Sequence, residues 1–183
     1  MNRNIPIQLR LRLFSSVVTP SALFATSVLS LTRAQLDRLG SVQRKMLRNI
    51  VGWVRIDGED WEATMHRMKQ RMSDASRQFF IMPWELELHK KQWHYALHIS
   101  HSVTVNWVEL ISRWHPPDVA DIALPQEPKR SVGRPRARWD DAITSYAAAA
   151  FDDSLHWIDA LHDHSRQELL QLSDAFLIHC NIF

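Results

Sequence analysis

TRAQLDRLGSVQRKMLRNIVG, residues 32–52, is the stretch of the sequence that predicts the fold class most clearly. Thr32 and Gln35 have the spacing of a capping box, in which two side chains bond each other's backbone N–H at a helix start. Apolar residues follow at helical spacing, and Gly52 provides a C-terminal stop. Those apolar residues are Leu36, Leu39, Val42, Met46, Leu47 and Ile50. The stretch therefore predicts one amphipathic helix.

The cationic residues of this helix are expected on the side opposite the apolar stripe. Arg44, Lys45 and Arg48 fall there, and Arg55 follows just beyond the end. Residues 1–56 as a whole hold nine basic residues and a single acidic one. A surface of this composition can contact the phosphates of RNA or DNA. We therefore predict a nucleic-acid-binding face on Arg44, Lys45 and Arg48.

The rest of the chain also carries helix signals, with a break expected at Thr19-Pro20, where Thr would cap and Pro would open a new helix. Asp57 to Asp60 would cap a further helix, whose apolar stripe we expect to be core rather than a binding groove. That stripe consists of Trp61, Met65, Met68, Met72 and Ala75. Helical periodicity returns over residues 84–114 and 139–178. No strand-type alternation stands out, so the sequence predicts an all-α fold.

Five of the eight prolines fall within residues 115–138, which predicts a linker or extended arm. We therefore expect an irregular helical bundle in three regions. These are a helical region over residues 1–114, the Pro-rich basic linker over residues 115–138, and a C-terminal helical segment over residues 139–183. The last region holds one basic and eight acidic residues, so it can dock on the basic part of the chain.

Composition also bears on the compartment. The single cysteine, Cys180, excludes an internal disulfide and a Cys-rich zinc module and fits a reducing compartment. No apolar run is long enough for a membrane span. We therefore expect an intracellular protein of the nucleus or cytoplasm, without a membrane partner. Residues 1–36 contain four arginines and no acid, a composition that also describes a mitochondrial transit peptide.

The arm KRSVGRPRARWDD, residues 129–141, carries the densest positive charge of the chain. Extended backbone with such charge can follow a phosphodiester chain, Gly-Arg-Pro suits a narrow minor groove as in an AT-hook, and the tryptophan could stack on a base. The alternative is a solvated basic linker that pairs with the acidic segment. The predicted binding residues are Lys129, Arg130, Gly133, Arg134, Pro135, Arg136, Arg138 and Trp139.

Two blocks of the sequence resemble the region downstream of the catalytic core in LINE-type (non-LTR retrotransposon) reverse transcriptases. GRPRARWDD, residues 133–141, is similar to that family's Gly-Arg-Pro-x-x-Arg-Trp-x-Asp motif. Residues 13–53 resemble the family's stretch beyond the palm, including Gln-Arg-x-Met-Leu-Arg at residues 43–48. The chain departs from the family at Phe24-Ala25-Thr26, where Tyr-Gly is usual, and at Val28, where Trp is frequent. The resemblance implies thumb-like helices, a nucleic-acid partner and an upstream polymerase domain that this chain lacks.

The polymerases of this family use paired aspartates on a palm strand turn to hold two metal ions. The chain has two Asp-Asp pairs, Asp140-Asp141 and Asp152-Asp153, and neither lies between β-prone runs. Aspartates at helix starts are the simpler interpretation. We therefore expect no enzymatic activity, and the sequence indicates no cofactor and no small-molecule substrate.

The histidines offer a second candidate site. His94, His98 and His101 have a spacing that could hold zinc on one helix face, and His156, His162 and His164 form a second group. Surface histidines without a metal are the favoured interpretation. Two functional hypotheses therefore remain: a non-catalytic nucleic-acid-binding fragment of a reverse transcriptase, and an inactive remnant or helical protein-interaction module.

Overall fold

The computed structural model describes residues 5–102, 107–113, 138–151 and 155–182, without the side chains of residues 181 and 182. Every regular element in these ranges is helical, which confirms the all-α prediction. Contacts divide the chain into two compact units, Met1–Lys91 (unit 1) and Gln92–Phe183 (unit 2).

The described part of unit 1, residues 5–91, forms four helices and the first part of a fifth. They are α1 (Ile7–Leu13), α2 (Thr19–Ala22), α3 (Arg33–Val51), α4 (Trp61–Gln78) and α5 (Trp84–Ser100). A π-helical segment, Phe14–Val18, joins α1 to α2, and a 3-10 turn, Thr26–Val28, follows α2.

Helix α3 begins and ends where the sequence predicts. The backbone N–H of Thr32 donates to Gln35 Oε1 at 2.7 Å, and the N–H of Gln35 donates to Thr32 Oγ1 at 3.4 Å. Gly52 follows the last residue with a φ of 80°, a conformation that glycine adopts without a Cβ penalty. Of the predicted apolar stripe, Val42 and Met46 are exposed. The capping box is thus confirmed, and the buried stripe is narrower than expected.

The break predicted at Thr19-Pro20 is wrong, because the helix widens there instead of ending. The N–H of Thr19 donates to the carbonyl of Phe14, five residues earlier, as in a π-helix. A proline ring in a regular α-helix clashes with the carbonyl four residues before it, and the wider turn accommodates Pro20. Thr19 serves not as a cap but as an acceptor, since its Oγ1 receives the indole N–H of Trp84 at 3.0 Å.

The core of unit 1 is built around Trp84, whose ring stacks on Phe14 with centroids 5.8 Å apart. Gln43, only 4% exposed, accepts the backbone N–H of Trp84 and donates to the carbonyl of Met82, both at 2.8 Å. The other buried members are Leu11, Leu23, Leu47 and Ile50. These contacts bury one side of α3 and leave its other side to solvent.

The described residues of unit 2 form the remainder of α5 and five further helices. They are α6 (Trp107–Arg113), α7 (Asp141–Ala150), α8 (Trp157–His162), α9 (Arg166–Gln171) and α10 (Ser173–Ile182). Trp93 lies at the centre, where its ring stacks on Phe176 at 4.9 Å and its N–H donates to the carbonyl of Leu169 at 3.1 Å. Other members of this core include Leu97, Ile143, Tyr146, Trp157 and Leu161.

The division into units differs from the regions expected from the sequence. Residues 1–114 were expected to form one region, whereas the boundary falls between Lys91 and Gln92, inside α5. The physical reason is that Trp93 and Leu97 are almost completely buried among apolar residues of the C-terminal helices. Burial of large apolar side chains dominates folding energetics, so the second part of α5 belongs to the C-terminal core.

Candidate nucleic-acid interface

Helix α3 presents its predicted cationic residues on the solvent side. Arg44, Lys45 and Arg48 are all exposed. Arg44 Nη2 donates to Ser41 Oγ at 3.0 Å, and Arg48 Nε donates to the carbonyl of Arg44 at 3.4 Å. Both acceptors are uncharged, so these bonds orient the two guanidinium groups along the helix without neutralising them.

An open cavity of about 1220 Å³, which we call the cationic cavity, lies beside the C-terminal end of α3. Four cationic side chains line it, and none of its lining residues is acidic. The four are Arg10, Lys45, Arg48 and Arg55. The C-terminus of a helix carries a partial negative charge of roughly half an elementary charge, which attracts cations. That partial charge is too small to neutralise four of them, so the cavity keeps a positive excess.

Arg10, on α1, was not among the binding residues predicted from the sequence. Its Nε is buried and has no hydrogen-bond partner in the part of the chain that the structure describes. An unpaired buried donor costs roughly 1–3 kcal/mol. The surplus of basic residues before residue 57 was the only sequence signal that pointed to Arg10 as a binding residue. Composition does not say which arginine of that stretch reaches α3.

Three other arginines described in unit 1, Arg33, Arg67 and Arg77, have carboxylate partners. Arg67 pairs with Glu59 at 2.6 Å, and Arg33 pairs with Asp37 and Glu85 at 3.4 and 2.8 Å. Over residues 5–102 and the other described ranges, no carboxylate forms an ion pair with a cation of the cationic cavity. Unpaired charges in a concave surface concentrate the local potential. The cationic cavity is therefore suited to an anionic ligand such as a phosphodiester.

Most of the arm predicted to bind nucleic acid lies outside the described residues. This holds for Lys129, Arg130, Gly133, Arg134, Pro135 and Arg136. The last two predicted residues, Arg138 and Trp139, are described, and both are half-buried. The structure therefore bears on only the end of the arm, where the chain enters unit 2.

Arg138 and Trp139 make intramolecular contacts in unit 2. The Nη2 group of Arg138 donates to the carbonyl of Ser112 at 2.6 Å, and its Nε donates to Asp140 Oδ1 at 3.1 Å. The indole of Trp139 contacts the rings of Tyr95 and Trp157, with centroids 5.4 and 5.9 Å apart. These two side chains, assigned to nucleic acid from the sequence, thus have structural contacts within the chain.

Asp140 and Asp141 stand at the start of α7, as the sequence predicted, but Asp140 makes no side-chain cap bond. Its carboxylate is 2% exposed and binds Arg138 and the indole N–H of Trp157. Asp141 Oδ2 accepts the backbone N–H of Arg138 at 2.7 Å. The other pair, Asp152-Asp153, lies outside the described residues. Both described carboxylates are thus occupied by donors of the protein.

The described histidines and the cysteine do not form a metal site. Within the ranges that the structure covers, no group of three His, Cys, Asp or Glu side chains could hold a metal ion. His94 and His98 are exposed, while His101 Nε2 lies 3.0 Å from the carbonyl of His164. Burial raises the pKa of Cys180 to about 12, so its thiol is protonated at neutral pH and is a poor ligand or nucleophile.

No protein-family model matches the chain, and no curated protein or solved structure matches it significantly. None of the helices in the described ranges is both long and apolar enough to cross a membrane.

Proposed function

We propose that this chain is a non-catalytic protein that binds the backbone of RNA or DNA through the cationic cavity and the basic face of α3. One observation carries the proposal: Arg10, Lys45, Arg48 and Arg55 line one cavity without a carboxylate. Phosphate oxygens are the natural partners of such a cluster, and arginine binds them in a bidentate manner. The arm residues Lys129, Arg130, Gly133, Arg134, Pro135 and Arg136 are proposed, from the sequence, as a separate contact with the nucleic-acid backbone.

Binding of this kind is electrostatic and independent of base sequence. Each neutralised phosphate releases condensed counterions, so the logarithm of affinity falls with the logarithm of salt concentration by roughly 0.7–0.9 per contact. We therefore expect a steep salt dependence and little discrimination between random sequences.

The test is filter binding over a salt series. The double variant Lys45→Ala, Arg55→Ala is expected to bind more weakly and with a shallower salt slope than the unchanged protein. Arg77→Ala is the matched control, because Arg77 is an exposed arginine of unit 1 that lies on α4, away from the basic face of α3, and does not line the cationic cavity. Equal affinity and slope for the double variant and the unchanged protein would overturn the proposal.

The proposed biological setting is a LINE-type reverse transcriptase, of which this chain would be the thumb-like and C-terminal part. Its support is the similarity of residues 13–53 and 133–141 to that family, in the family's order. The coding sequence immediately upstream tests it. An open frame encoding an aromatic-x-Asp-Asp strand turn is expected, and a complete unrelated gene there would contradict the setting.

A helical protein-interaction module is the second candidate, favoured by the apolar surface of the N-terminal helices. Leu9, Leu13 and Val17 are about half exposed at a spacing of four residues, and Phe24 is 82% exposed. Within the proposed setting the partner would be the upstream polymerase domain. If Leu13→Asp abolishes binding to that domain while nucleic-acid affinity is unchanged, this surface serves a protein partner.

A further inference from the structure

A second groove, of about 390 Å³, lies between α3 and α4 in unit 1. Its apolar walls are Trp53, Met65, Met68 and Met72. The sequence predicted the methionine stripe as core, yet only Met68 is fully buried, while Met65 is 40% and Trp53 is 45% exposed. We call this the Trp53 groove. Its size falls within the range of roughly 300–1,000 Å³ that is typical of small-ligand sites.

The rim of the Trp53 groove is mainly cationic. Arg44, Arg48 and Lys69 line it together with His66, against one acid, Glu62. Three cations at the rim would not stabilise the binding of an uncharged apolar side chain from a protein partner. A planar ring that belongs to a polyanion matches both the walls and the rim.

The Trp53 groove also adjoins the cationic cavity. Arg48 and Trp53 line both of them. Trp61 lies against Trp53, with ring centroids 5.7 Å apart, and so supports the indole on one side. A strand that places its phosphates in the cationic cavity therefore passes directly beside the exposed part of Trp53.

We propose that the Trp53 groove takes an unstacked base of a single-stranded nucleic acid whose phosphates occupy the cationic cavity. This inference rests on the proposed function and adds a preference for single strands. Every base has a π face, so stacking on an aromatic ring tolerates any sequence. Methionine thioethers are polarizable and adapt to flat rings, which suits walls that must accept different bases. A duplex keeps its bases stacked within the helix and cannot fill the groove.

The test compares labelled oligothymidylate with an abasic strand of the same length, by fluorescence anisotropy at one low salt concentration. The two strands have the same phosphates and differ only in their bases. We expect the unchanged protein to bind oligothymidylate about fivefold or more tightly than the abasic strand. Oligouridylate forms a third arm, which reports whether RNA and DNA are distinguished.

Trp53→Ala is expected to remove the advantage of oligothymidylate, because it weakens binding of oligothymidylate more than binding of the abasic strand. Trp53→Phe, which keeps an aromatic face, should retain most of that advantage. Phe80→Ala is the control, since Phe80 is 92% exposed in the same unit and lines neither the groove nor the cationic cavity. Circular dichroism verifies that each variant keeps its helix content.

Three results would overturn this inference while leaving the proposed function intact. Equal affinity of the unchanged protein for the two strands means that the groove takes no base. An equal loss on both strands in Trp53→Ala means that Trp53 acts only on the phosphate contacts. Self-association that Met65→Glu abolishes, without any effect of bases, would assign the groove to a second copy of the chain. Absence of binding to either strand would contradict the proposed function itself, and this inference with it.

Discussion

The carboxylate of Asp140 accepts the indole N–H of Trp157 at 3.0 Å, and both side chains are almost completely buried. Arg138 donates to the same carboxylate at 3.1 Å. A buried carboxylate loses its hydration and persists only where charge and hydrogen bonds compensate for it. Asp140 thus links the start of α7 to α8 and holds the end of the basic arm in unit 2.

Asp140→Ala should destabilise unit 2, because the Trp157 N–H and the Arg138 guanidinium lose their acceptor. We expect the free energy of unfolding to fall by roughly 1–3 kcal/mol. Urea unfolding followed by tryptophan fluorescence measures it. Asp163→Ala is the matched control, since the Asp163 side chain is 71% exposed. Equal urea midpoints for the two variants would show that the buried carboxylate does not stabilise the fold.

Arg138→Ala is expected to lower stability and to leave nucleic-acid affinity unchanged, because its guanidinium already binds Asp140 and the Ser112 carbonyl. Arg138→Lys should not restore stability, since an ammonium group cannot reproduce the two directed contacts.

Arg48→Ala should instead weaken nucleic-acid binding and leave the melting temperature unchanged. Filter binding and thermal melts of both variants separate the two roles. If Arg138→Ala keeps its full helix content but loses nucleic-acid affinity, Arg138 contributes directly to binding and this prediction is wrong.

Stability should depend on pH through His156. Burial and then the positive charge of Arg113 lower the pKa of His156. Its Nδ1 accepts the N–H of Ile158 at 3.3 Å at the start of α8, which a protonated ring cannot do. The unfolded chain binds this proton with a pKa of about 6.5, so it holds more protons than the folded chain below that pH. The contribution of neutral His156 to the free energy of unfolding is therefore complete above the pKa of the unfolded chain, and it declines as the pH falls through the lower pKa of the folded chain.

Melting temperatures at about pH 7.5 and about pH 5.5 measure this effect. His156→Asn is the informative variant, because asparagine caps a helix without titrating. It should lose less stability between the two pH values than the unchanged protein. An identical loss in both proteins would assign the pH dependence to other histidines.

Glu59 should contribute to acid stability. Its hydrogen bond from Arg67, followed by that from Thr64, lowers the pKa of Glu59 from 4.5 to about 2. A carboxylate with a depressed folded pKa stabilises the fold above its unfolded pKa, and this contribution is lost as the pH falls from 4.5 towards 2. Glu59→Gln should flatten the acid unfolding curve over that interval, recorded by circular dichroism. Glu62→Gln, an exposed glutamate of α4, should leave the curve unchanged.

Helices with strong local signals were predictable from the sequence. The capping box of Thr32 and Gln35 involves residues three apart, so its geometry follows from the chain itself. The exposed positions of Arg44, Lys45 and Arg48 follow from the helical period. The π-helical turn before Pro20 was not predictable from local signals, and Thr19 at its end binds Trp84, which comes from a distant part of the chain.

The candidate site was predictable only in part. Arg48 and its neighbours were assigned correctly to an exposed basic face, while Arg10 and Trp53 were not recognised as partners of that face. Arg10 reaches the cationic cavity because α1 packs on α3, a contact between residues far apart in the sequence. The methionine stripe was expected in the core because periodicity indicates a shared face but not what covers it.

By itself the sequence determined the helical class, the start and end of α3, and the uneven distribution of charge, since these depend on residues within a few positions of one another. Only the tertiary structure decided which cations remain unpaired, that Arg138 and Trp139 belong to unit 2, and that Trp53 borders both a cationic cavity and an apolar groove. Each of these depends on contacts between distant segments, whose free energies of burial and hydrogen bonding no local pattern encodes.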